Sequence, residues 1–287
     1  MAEAAYSEGE WTSADGLTLR YRDYVGRGDR PPVLCIPGLT RNARDFEPLA
    51  RAFAGEWRVI CPDLRGRGQS DYARDPATYT PVHYVADIMA LLDQTGLESV
   101  VAVGTSLGGI VSMLIEAHAP GRIAAAVLND IGPDVEPAGL ARIRDYVGQG
   151  RSFPTWMHAA RALRDQAGVV YPDFAIADWL RLAKRWLAGG GSGRIVFDYD
   201  MKIAEPFQQP EPGEPFDMWP VFRALAGRPV LAIRGELSDI LSAATLAKMQ
   251  RELPGMEAVM IPRTGHAPTL EEPAAQAAIA SLLAQVA

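Results

Sequence analysis

Apolar positions along this chain follow two rhythms: short aliphatic runs bounded by glycine, proline and polar turns, and longer stretches with helical spacing. Runs at 33–36, 58–61, 100–103, 123–128, 229–234 and 257–261 are of the first kind and predict strands, those at 33–36, 100–103 and 123–128 buried. Helical spacing marks about 43–54, 82–95, the stretch after Ser106, about 243–253 and about 272–284. Within 82–95 the apolar face is Val85, Ile88, Met89, Leu91 and Leu92. After Ser106 it is Ile110, Val111, Met113, Leu114 and Ile115, and Pro120 forbids continuation. Ahead of all these, 10–12 and 17–24 flank Ser13-Ala14-Asp15-Gly16, whose Asp-Gly tolerates positive φ, and predict an antiparallel hairpin. Strands alternating with helices define an α/β chain.

The alternation stops at about residue 133 and resumes at about 217. Between them three amphipathic segments, near 137–149, 154–167 and 174–188, predict a helical insertion of 133–216 within a main domain of 1–132 and 217–287. The insertion carries Trp156, Trp179, Trp186, Tyr171 and Phe207 among Met157, Leu163 and Met201, a large apolar inventory for so short a segment. Most of these side chains serve packing, and a minority are expected to line a cleft, since substrate clefts are apolar and favour domain junctions.

The candidate chemistry sits where the run at 100–103 meets its helix, in Gly104-Thr105-Ser106-Leu107-Gly108. An abrupt strand-to-helix turn strains its central residue, and glycine two places before and after removes the side chains that would collide. A serine that merely caps the helix is the plain alternative. Two further loops weigh against it: Gly235-Glu236-Leu237-Ser238-Asp239-Ile240 and Gly265-His266 follow later strands, giving the order Ser, Asp, His.

On these motifs the chain resembles the α/β-hydrolase fold superfamily over nearly its whole length. The resemblance implies a mostly parallel eight-stranded sheet flanked by helices, with the insertion after the sixth strand as a helical cap. It implies Ser106 as nucleophile, His266 as base and Asp239 as the orienting acid, with Asp130 or Glu236 as alternatives because some relatives place the acid after the sixth strand. The backbone N–H groups of Leu39 and Leu107 are the implied oxyanion donors; most relatives have histidine where this chain has Pro37, but the donors are backbone groups. Arg41, Trp156, Trp179 and Ile240 are candidate substrate contacts. Serine at the nucleophile position sets the chain apart from the epoxide hydrolases and haloalkane dehalogenases of this fold, which use aspartate there.

The function expected is hydrolysis of carboxylic esters or lactones through an acyl-enzyme, as in carboxylesterases. Alternatives are carbon-carbon bond hydrolysis of ring-cleavage products, less favoured because Ala267-Pro268 follows His266 where an aromatic residue is usual, and a hydrolase-fold ligand-binding module. Composition narrows the partners. With 287 residues, 48% hydrophobic and 22% charged, the chain suits a soluble globular enzyme. A net charge of −7 argues against a nucleic-acid surface. Cys35 and Cys61 read as buried thiols. His118 and His158 lack companions at zinc spacing, so neither metal nor cofactor is expected. The N-terminus lacks a basic start and apolar middle, and no apolar run reaches the ~18 residues of a membrane span, so a cytoplasmic location is expected.

Overall fold

The computed structural model describes residues 6–208 and 216–286. The expected absence of a leader and the last part of the expected insertion fall partly on residues 1–5 and 209–215, outside the described residues. Strands β1 (Tyr6–Thr12), β2 (Thr18–Tyr24), β3 (Val33–Ile36), β4 (Val59–Asp63), β5 (Val100–Thr105) and β6 (Ile123–Asn129) belong to one sheet. Three short strands follow within the insertion, β7 (Ser152–Phe153), β8 (Leu187–Gly189) and β9 (Ile195–Phe197), and then β10 (Val230–Gly235) and β11 (Glu257–Ile261) return to the large sheet. Its order is β1-β2-β4-β3-β5-β6-β10-β11. The β1–β2 pair is antiparallel, as the hairpin turn at Asp15-Gly16 requires, the β2–β4 pair is also antiparallel, and the remaining pairs are parallel.

The central strands β3, β4, β5, β6 and β10 are buried on both faces, which explains their continuous apolar runs, whereas the edge strand β11 is buried only at Ile261 and partly at Val259. Along β5 successive side chains alternate between two cores: Val100 and Ala102 face one side, Val101 and Val103 the other. The first side is covered by α2 (Pro81–Gln94), α3 (Leu107–His118), α8 (Trp219–Arg223) and α9 (Ala243–Glu252), the second by α1 (Glu47–Phe53) and α10 (Pro273–Leu283). Strand order reverses between β3 and β5, so the loops after these two strands diverge and leave a crevice at the sheet's carboxyl edge.

The insertion contributes α4 (Pro137–Tyr146), α5 (Trp156–Ala167), α6 (Ile176–Trp186) and α7 (Ala204–Gln208). The three helices expected from periodicity are α4, α5 and α6. The small antiparallel sheet β7-β9-β8 was not expected: strands of two or three residues are too short to show alternation. Phe153, Leu163, Tyr171, Trp179, Leu182 and Ile195 belong to a separate core inside the insertion, whereas Ile143 and Ile203 join the main core. The insertion is also fastened by polar contacts: Arg44 donates to the carbonyls of Arg185 (3.1 Å) and Leu187 (3.3 Å) and pairs with Asp198 at 2.6 Å. Arg185 in turn pairs with Glu271. Among the described residues no helix is long and apolar enough to cross a membrane.

Candidate active site

Ser106 sits between β5 and α3 with φ 52° and ψ −116°, a conformation that L-residues avoid. The flanking glycines make it possible. A Cβ on Gly108 would lie 2.0 Å from the carbonyl oxygen of Ile36, and one on Gly104 would lie 2.4 Å from the backbone of Gly108 and Gly109. The turn therefore packs backbone directly against β3 and presents the serine hydroxyl at the crevice.

His266 follows β11 and faces Ser106, its Nε2 2.9 Å from Oγ. Its Nδ1 lies 2.8 Å from Oδ2 of Asp130. A carboxylate accepts, so Nδ1 carries the hydrogen and Nε2 is left to accept from the serine hydroxyl. Asp130 is fully buried just past β6, with φ 57°. Its Oδ1 accepts from the Gly235 N–H (2.8 Å) and its Oδ2 also from the Ser238 hydroxyl (2.6 Å). Three donors thus fix its orientation, two from the end of β10 and the loop after it and one from the histidine loop. Its neighbour Asn129 donates to Thr105 Oγ1 (3.0 Å) and to the Pro268 carbonyl (2.9 Å), joining the serine and histidine loops.

This corrects the expected acid. Asp239 does not hydrogen-bond His266; Arg142 of α4 engages both of its oxygens, at 2.5 and 2.8 Å, and holds its carboxyl below the usual range. The loop after β10 turns so that Ser238, not Asp239, points inward, its hydroxyl also accepting from the N–H groups of Ile240 and Leu241. Glu236 accepts instead from the Arg263 N–H.

The loop bearing Leu39 is fixed from behind. Arg67, fully buried, donates through Nε and Nη2 to the Leu39 carbonyl (2.9 and 2.7 Å), and through Nη1 to the Arg65 carbonyl (2.6 Å). Among the described residues neither the Leu39 nor the Leu107 N–H donates to another loop or side chain, and Leu107 opens α3, where the first amides have no partner in the helix. This role of Arg67 arises from a contact between loops 28 residues apart, which no local pattern marks.

Above Ser106 an inner cavity of about 60 Å³ is lined by Leu39, Arg41, Ser106, Tyr171, Trp186 and His266 among others. An outer chamber of about 350 Å³ shares Arg41, Tyr146, Tyr171, Trp186 and His266 with it and adds Arg142, Arg151, Leu163 and Phe197. Arg41 is therefore at the site. Trp179 is not: it is wholly buried against Tyr171 and Phe174 inside the insertion. Trp156 packs on the same core and Ile240 is buried in the main core, both outside the linings of the two cavities. Tyr171 and Trp186 take their place. The insertion also holds the histidine loop: the Val170 carbonyl accepts from the Gly265 N–H at 2.7 Å and Tyr171 Oη donates to the Ala267 carbonyl at 2.7 Å.

The chain belongs to the α/β hydrolase fold family, whose model matches residues 31–273. It is a hydrolase by family. Of solved structures, it is similar to an α/β hydrolase from Novosphingobium aromaticivorans, 63% identical with a TM-score of 0.95 and complete coverage of both chains. Among curated proteins it is 33% identical over 270 residues to the 3-hydroxybutyrate-oligomer hydrolase of Cupriavidus necator, covering 91% of each chain. It is 28% identical over 253 residues to the 2-(acetamidomethylene)succinate hydrolase of Mesorhizobium japonicum, covering 87% of this chain and 85% of that one.

Proposed function

We propose that the protein is a serine hydrolase that cleaves carboxylic esters, lactones among them, through an acyl-enzyme. The observation that carries this reading is the unbroken hydrogen-bond chain from Ser106 through His266 to Asp130. A serine hydroxyl is a weak nucleophile at neutral pH and needs a base beside it; imidazole is the side chain whose ordinary pKa suits that task. As Oγ attacks the ester carbonyl carbon, its proton passes to Nε2 of His266. Asp130 holds the ring's tautomer and stabilises the imidazolium. The carbonyl oxygen becomes an anion facing the Leu39 and Leu107 amides, each such donor contributing about 3 kcal/mol to the transition state. Collapse breaks the carbon–oxygen bond to the leaving alcohol, which takes the proton from Nε2. Water, deprotonated by the same histidine, then releases the acid and restores Ser106.

The small inner cavity supports short or medium acyl groups, and the 133–216 insertion, roofing the site with Tyr171 and Trp186, acts as a cap in this reading. The relative named for 3-hydroxybutyrate oligomers belongs to the same reaction class, since oligomers of a hydroxy acid are joined by esters. Stopped-flow hydrolysis of 4-nitrophenyl acetate, butyrate and octanoate tests the proposal. A burst of nitrophenol equal to the enzyme concentration, abolished in Ser106→Ala, is expected. Ester turnover that survives Ser106→Ala, or none by the folded wild type, overturns it.

A further inference from the structure

Most buried arginines of this protein meet an acceptor. Arg65 pairs with Asp87 and Asp15, Arg67 donates to two carbonyls, and Arg185, though its Nη1 also lacks a partner, pairs through Nη2 with Glu271. Arg41 is different. It lines both cavities, its Nη1 is buried without a hydrogen-bond partner, and its side chain forms no ion pair among the described residues. Its guanidinium lies on the Trp186 ring, with Cζ 3.0 Å from the centroid, a contact that steadies the cation through the ring face but gives Nη1 no acceptor. Asp45, the carboxylate lining the same inner cavity, accepts instead from the Trp186 indole N–H at 2.8 Å. Arg142, in the outer chamber, is already neutralised by Asp239. An unpaired guanidinium nitrogen withdrawn from water is costly to maintain, and a bound anion removes the cost.

The position of Arg41 relates it to the reacting atoms. A methyl group built on Gly38 would stand 3.7 Å from both the Cγ of Arg41 and the Cβ of Ser106, so the two side chains rise from the same wall of the cavity. A planar guanidinium suits a carboxylate, which it binds through two parallel N–H bonds. We propose that Arg41 is the receptor for a substrate carboxylate, and that the preferred substrates are short esters bearing a free carboxylate a few bonds from the scissile carbonyl. This rests on the ester-hydrolase reading above.

The test compares 4-nitrophenyl half-esters of glutarate and adipate with the neutral valerate and hexanoate esters, matched in length but for the terminal carboxylate. The wild type is expected to prefer the half-esters in kcat/KM, and Arg41→Met to reduce that preference about 10- to 100-fold, mainly through KM. Arg41→Lys, which keeps the charge but not the fork, is expected to retain part of it. Turnover of the neutral esters with no preference for the half-esters, or a preference undiminished in Arg41→Met, overturns the assignment of Arg41. No turnover of any ester together with an unlabelled Ser106 in the presence of a fluorophosphonate overturns the ester-hydrolase reading instead. Glutarate binding by calorimetry then decides Arg41 on its own: binding lost in Arg41→Met supports it, and absent or unchanged binding overturns it. Should Arg41→Met not fold, wild-type calorimetry still decides: binding of glutarate but not of its dimethyl ester supports the receptor, and equal affinity overturns it.

Discussion

Replacing Asp130 by asparagine removes one charge from a fully enclosed site while nearly conserving its shape. The backbone there is at φ 57°, a region asparagine adopts readily, so the fold is expected to survive. The hydrogen bonds cannot all survive. Asp130 accepts on one oxygen from Gly235 and on the other from Ser238 and His266. An amide has one oxygen. If it keeps the Gly235 bond, its NH₂ faces Nδ1 of His266, which then accepts, and the ring proton moves to Nε2 beside Ser106, where a base is needed. If it turns over, two N–H groups meet at Gly235 within the core. Wrong-tautomer substitutions in a triad of this kind lower kcat about 10⁴-fold, or about 5.5 kcal/mol of transition-state stabilisation. Asp239→Asn, which disturbs only the pair with the half-exposed Arg142, is expected to cost less than tenfold. Steady-state hydrolysis of 4-nitrophenyl butyrate by both variants, with thermal melting to verify folding, measures the difference. Near wild-type rates in Asp130→Asn alongside a 10⁴-fold loss in Asp239→Asn would refute the assignment of the acid.

Other consequences are equally specific. Gly108→Ala places a Cβ 2.0 Å from the Ile36 carbonyl oxygen, a backbone atom that cannot swing away, and should cost about 3 kcal/mol or more in a urea titration. Asp87→Asn leaves the buried Arg65 with only its more exposed partner, Asp15; a loss of about 3 kcal/mol by the same assay is expected, the lower end for breaking a buried pair. Burial pushes the Tyr24 phenol up to about 12. Folding therefore favours its neutral form, and the associated stability is intact below the ordinary tyrosine value of about 10 and lost as pH rises through about 12. Tyr24→Phe should flatten the fall of stability across that alkaline window, read by denaturation midpoints; an unchanged slope would contradict the assignment.

What the sequence disclosed and what it hid have physical reasons. The serine turn was legible because its glycines answer a local steric demand: Gly104 and Gly108 pass against backbone atoms. The central strands were legible because burial on both faces leaves continuous apolar runs. The acid was legible only as a choice among Asp239, Asp130 and Glu236, because Asp130 and Asp239 follow adjacent paired strands, β6 and β10. Which of them meets His266 depends on how the loops turn and on Arg142, supplied by α4 from the insertion. No local pattern encodes that meeting. Trp179 and Trp186 share one stripe of α6, seven residues apart, yet the first is sealed in the insertion's core while the second, at the helix end, overhangs the inner cavity. Docking of the insertion, not periodicity, decides between them.

The central claim is that Ser106 carries the acyl group. The most direct measurement is to titrate the protein with a fluorophosphonate while following 4-nitrophenyl butyrate turnover, and then to locate the adduct by peptide mass spectrometry. One phosphonyl group per chain on Ser106, formed in step with the loss of turnover, is the predicted result. Turnover that persists on fully modified Ser106, or that disappears with the label on another residue, would contradict it.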